Sequence, residues 1–133
     1  MTHSLSVDTN VLVRGVVRDD LAQAKIVDKT LREASLIAVS LPCLCEFVWV
    51  LRKVYGFDNV SIATAIRALV ATEKVVTNRP AIETGLTLLD AGGDFADGII
   101  AHEGTWLGAK TFVSFDKKAV SLLTKQGQNV RLL

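Results

Sequence analysis

Five carboxylates, Asp8, Glu46, Asp94, Asp97 and Asp116, are the residues of this chain best suited to chemistry. Gathered in one cleft they would repel, and one or more would be pushed toward protonation unless a cation intervened. Mg²⁺ and Mn²⁺ are the natural remedy, because they take oxygen ligands and keep several waters. A site of that kind hydrolyses phosphodiesters: the metal polarises a phosphoryl oxygen and ionises a water, and a second ion steadies the leaving oxygen. No His, Cys or Lys is needed for this, and none is suitably placed.

The elements must bring these acids together. Residues 5–7 alternate as a short strand ending on Asp8, and residues 8–10 offer caps for a helix from Val11. Asp19 and Asp20 open a second helix, and residues 36–39 are an apolar run, as in a strand buried on both faces. Pro42 starts a long helix to Tyr55, which Gly56 stops. Further helices are expected from Asn59 or Ser61 and over residues 80–89, 95–106 and 117–125. Short strands are expected at 75–76, 111–114 and 129–132. Alternating short strands and helices predict one α/β domain over residues 1–133, with a short, mostly parallel central sheet and helices on both faces.

In an open α/β sheet, ligands bind beyond the carboxyl ends of the strands. Asp8 and Asp116 each follow a strand, Asp94 and Asp97 share a face at a helix start, and Glu46 lies early in the helix after the second strand. Each has a structural alternative. Asp8 suits an Asx-type cap, Asp94 an N-cap, and Asp97 the third position of a capping box. Asp116 suits a charged turn. Glu46 stands among Cys43, Leu44, Phe47, Val50 and other apolar residues, where an acid calls for a partner. His102 and Glu103 read as a solvated stretch. Cys43 and Cys45 point to different faces of a helix, and Gly92-Gly93 reads as a helix C-cap rather than a phosphate loop.

Composition bounds the rest. Half of the 133 residues are hydrophobic, 22% are charged and the mean hydropathy is +0.36, which excludes a disordered tail. Two cysteines one residue apart cannot staple a secreted scaffold and fit a reducing compartment. A net charge of +1 argues against holding nucleic acid by bulk electrostatics alone, an argument that weakens if several acids are neutralised by cations. No targeting or membrane-spanning segment is read, so the expected location is the cytoplasm.

Four segments in order give the chain its resemblance to PIN-domain proteins, specifically the VapC toxins of bacterial toxin–antitoxin pairs. They are Ser6-Val7-Asp8-Thr9-Asn10, Glu46 in the third helix, Asp94-Phe95-Ala96-Asp97, and Phe112-Val113-Ser114-Phe115-Asp116-Lys117-Lys118. The resemblance implies a Mg²⁺- or Mn²⁺-dependent endoribonuclease that cuts cellular RNA and arrests translation. Asp8, Glu46, Asp97 and Asp116 would be the metal-holding quartet, supported by Asp94, with Thr9, Asn10 and Ser114 orienting ligands or water. Gly98 stands where many relatives carry Ala. The family further implies a homodimer, or a higher assembly with a VapB-type antitoxin.

The helix over residues 42–55 is apolar nearly all round. A groove between it and the helix over 59–72 is therefore the expected antitoxin seat, with Trp49 and Val50 in contact. Two alternatives come from other classes. A haloacid-dehalogenase-like phosphatase needs a second acid two residues after the first, where this chain has Asn10. A catalytically inactive PIN-like interaction module would release neither phosphate nor RNA fragments.

Overall fold

The computed structural model describes residues 3–133, and its fold is mixed α/β with parallel strands. The chain forms two compact units, one running through Asn78 and one from Arg79, and each is described by itself.

The first unit contains β1 (His3–Ser6), α1 (Thr9–Val17), α2 (Leu21–Glu33), β2 (Ala34–Ala38), α3 (Leu41–Lys53), α4 (Asn59–Val70) and β3 (Val75–Val76). The strands form a parallel sheet in the order β1-β2-β3, pairing Leu5 with Ile37 and Ile37 with Val75. The ladder runs on past β1, where Val7 N donates to Ala38 O at 3.2 Å and delivers the chain to Asp8. Leu12, Ala24, Ile37, Leu44, Phe47, Leu51, Ile62 and Ile66 are buried.

Each helix start has a local cause. Asp20 and Asp58 cap α2 and α4 through the amides of Gln23 and Ser61. Ser40 caps α3, which begins at Leu41, one residue ahead of the expected start; its Oγ accepts from Cys43 N at 3.3 Å, with Pro42 in the first turn. Such a cap contributes about 1 kcal/mol. Gly56 stops the helix at φ +70°, where a side chain would be strained.

Two expectations need correction. Strand β2 is not buried on both faces: Ile37 is buried while Leu36 is exposed beside its exposed ladder partner Ser4. Helix α3 is not buried all round either. Phe47, Val48 and Leu51 face inward, while Trp49 is 60% exposed and Val54 62%.

The second unit contains α5 (Arg79–Asp90), α6 (Phe95–Trp106), β4 (Phe112–Ser114), α7 (Lys117–Lys125) and β5 (Val130–Leu132). Strands β4 and β5 form their own parallel pair, Phe112 opposite Val130. The five expected strands are thus present as a three-stranded and a two-stranded ladder. Gly92, at φ +89°, turns the chain after α5, and Gly93 N donates to Leu88 O at 2.8 Å. Helices α5 and α6 pack backbone to backbone: a Cβ on Gly98 would lie 2.7 Å from Gly85 Cα and 2.8 Å from Thr84 O. Only glycine permits that approach.

Candidate active site

In the first unit the carboxylates are placed by the β1–α1 turn and by α3. Asp8 caps α1, its Oδ1 accepting from Thr9 N at 2.7 Å. It is exposed, and its Oδ2 accepts no hydrogen bond among the described residues. Thr9 is buried at 8% exposure, and its hydroxyl donates to Glu46 Oε2 at 2.9 Å. Glu46 itself is exposed, so its apolar sequence neighbours turn inward while its carboxylate meets water and Thr9. One turn earlier, burial pushes the Cys43 thiol up; the Thr9 hydroxyl opposes this, and Asp8 and Glu46 push the same way as burial. Asp8, Thr9, Cys43 and Glu46 therefore share one electrostatic neighbourhood.

In the second unit Asp94 caps α6 through Ala96 N at 3.1 Å. Asp116 follows β4 and caps α7 through Ala119 N at 3.0 Å, while its own amide donates to Ser114 Oγ at 2.9 Å. Asp97 stands apart. It is half-buried and accepts no hydrogen bond among the described residues, so it does not complete a capping box. Burial holds its carboxyl above the usual range, and the charges of Asp94 and Asp116 push it further. Asp94 and Asp116 are thus the charges that act on Asp97.

Capping and ligation are compatible here. In Asp8, Asp94 and Asp116 one oxygen is fixed on a helix amide, which sets the rotamer, and the other accepts nothing among the described residues. The free oxygens are hard donors of the type Mg²⁺ and Mn²⁺ prefer. Among the described residues, no three His, Cys, Asp or Glu side chains already stand as a coordination shell.

The remaining predicted residues fall as follows. Asn10 is exposed and lines a cavity of about 450 Å³ between α1 and α2. Ser114 holds the Asp116 turn. Val50 is half-buried and Trp49 exposed on α3. His102 is not fully solvated as expected: it is half-buried, with Nδ1 3.4 Å from Thr84 Oγ1. Sequence reasoning missed Arg14, whose Nη1 donates to Asp19 Oδ1 at 2.7 Å and to the Tyr55 hydroxyl at 3.4 Å. The signal was Arg14 standing one turn beyond Asn10 on the same helix face.

No protein-family model matches the chain, and no curated protein matches it.

Proposed function

We propose that the protein is a Mg²⁺- or Mn²⁺-dependent endoribonuclease of the PIN-domain, VapC-toxin type, with Asp8, Glu46, Asp97 and Asp116 as metal ligands. The observation that carries this reading is Asp97: a half-buried carboxyl with no hydrogen-bond partner among the described residues and two acids acting on it. A carboxylate kept in such a place is costly unless it serves a ligand. A bound divalent ion would supply a polarised phosphoryl oxygen and an ionised water. The chain's own residues do the positioning. Thr9 holds Glu46, the α7 amide of Ala119 holds Asp116, and Asp94 adds negative charge beside Asp97.

The same reading gives the chain a VapB-type antitoxin and a second copy as partners. An apolar cavity of about 480 Å³, lined by Leu12, Val16, Leu31, Ala65, Ala68 and Leu69 among others, supports a peptide seat on α1, α2 and α4. Trp49 and Val50, the contacts expected from the sequence, do not line this cavity. Among the described residues no helix is long and apolar enough to cross a membrane.

The test is cleavage of single-stranded RNA with Mg²⁺ or Mn²⁺ and with EDTA. Cleavage that stops in chelator and returns with added metal is expected. Undiminished cleavage by metal-free protein, or release of phosphate from a small chromogenic ester without RNA cleavage, overturns the reading.

A further inference from the structure

The cavity of about 450 Å³ in the first unit is built from α1 and α2. Its lining is Asn10, Val11, Arg14, Gln23, Ile26 and Val27. We propose that this cavity is a subsite for one unpaired nucleobase next to the bond that is cut, with Gln23 and Arg14 reading the base edge. The proposal rests on the ribonuclease reading and adds to it the residues that choose where RNA is cut.

Three observations carry it. The first is position. Asn10 lies two residues after Asp8 in the opening turn of α1, and Arg14 lies one turn further, about 6 Å along the axis. The cavity lining therefore starts on the opening turn of α1, the turn that Asp8 caps, and continues along the helix.

The second is chemistry. Val11, Ile26 and Val27 give the lining its aliphatic part, and Ile26 stays 65% exposed, an apolar side chain with open area to cover. The polar part is supplied by two amides and a guanidinium. Among the described residues the side-chain amides of Asn10 and Gln23 make no hydrogen bond, and Arg14 uses Nη1 alone, leaving Nε and Nη2 without partners. Unstacked single-stranded bases are read by hydrogen bonds along their edges, which the two amides and the guanidinium can make, while the aliphatic side chains give the cavity its apolar wall.

The third observation separates a base from a phosphate. Asp19 pairs with Arg14 at 2.7 Å, and Tyr55 also contacts that guanidinium. The pair cancels most of the local positive charge and holds the planar fork in one orientation. A neutral base edge, read by geometry, suits such an arginine better than a phosphate drawn by net charge.

The experiment is cleavage of a random-sequence RNA pool by the full chain and by Gln23→Ala, with the new ends sequenced. Gln23 is exposed, and its hydrogen bond to Asp20 comes from the backbone, so the cap survives the substitution. If Gln23→Ala fails to match the parent's melting curve, the nearly isosteric Gln23→Glu serves in its place. The expected result is a preference at one position beside the cut that falls at least about fivefold, while preferences at the other positions hold. A profile identical to the parent's overturns the subsite and leaves the ribonuclease reading standing. An unchanged profile with weakened binding of a VapB-type partner marks a protein contact and also overturns it. A parent that cuts no RNA with either metal overturns both readings together.

Discussion

Thr9 Oγ1 donates to Glu46 Oε2 across 2.9 Å, joining the first residue of α1 to the middle of α3. Thr9 is buried and Glu46 exposed, so a hydroxyl fixed by packing aims a carboxylate that water would otherwise leave free to rotate. Thr9→Val keeps the shape and removes the donor. RNA cleavage should fall about 10- to 100-fold, the usual effect of losing a group that orients a metal ligand. Thr9→Ser should restore most of it. Cleavage rates and melting curves of the two variants check this; equal losses in both would make Thr9 a packing residue only.

Asp97 and Asp116 are both acids near helix starts, yet they should respond differently to Asn. Asp116 caps α7 through Oδ1, and Asn caps nearly as well as Asp. Asp116→Asn should melt close to the parent while cleaving RNA far more slowly. A large drop in melting temperature with cleavage intact would assign Asp116 to the cap alone.

The helices show which parts of this fold are written locally. Helices α6 and α7 run over the residues expected, because each has an acid at its cap and a glycine just beyond its end. Strand β2 begins earlier than its apolar run, at Ala34, because ladder pairing with His3 and Ser4 sets the start. Exposure of Leu36 follows from that ladder too, and no local pattern announces it. The site divides the same way. Asp94 is legible as a cap from its own neighbours, whereas Thr9 and Glu46 are 37 residues apart and meet only once α1 packs on α3. The Arg14–Asp19–Tyr55 cluster is hidden for the same reason.

Packing in the second unit yields a prediction about Gly98. A Cβ here would press on the backbone of Thr84 and Gly85 at 2.7–2.9 Å. Backbone cannot rotate away as a side chain does, so α5 and α6 would have to separate. Gly98→Ala should destabilise by about 1–3 kcal/mol, the range for overpacking a filled interface. Thermal melts decide it: a variant as stable as the parent would show that the helix pair relaxes freely.

The last prediction concerns pH and Asp97. Its carboxyl is held above the usual range by burial and then by Asp94 and Asp116. A carboxyl with a raised folded pKa holds its proton more tightly in the native state than in the unfolded chain. Stability contributed by that proton is present at low pH and is lost as pH climbs from about 3.9, the ordinary Asp value, through the raised folded value. Asp97→Asn cannot ionise and lacks this loss. In EDTA the variant's melting temperature should therefore rise relative to the parent's across that window and stay at or above it near pH 7. Added Mg²⁺ should then raise the parent's melting point by ligand linkage and the variant's much less, since a proposed ligand is missing. Cleavage by the variant should fall by orders of magnitude. The competing effect is the favourable placement of a negative charge in the first turn of α6, about 0.3–1 kcal/mol, which Asn would forfeit. Melting curves over pH separate the two. A variant that melts below the parent at every pH in EDTA and still cuts RNA would make Asp97 a residue of the helix rather than of the metal site.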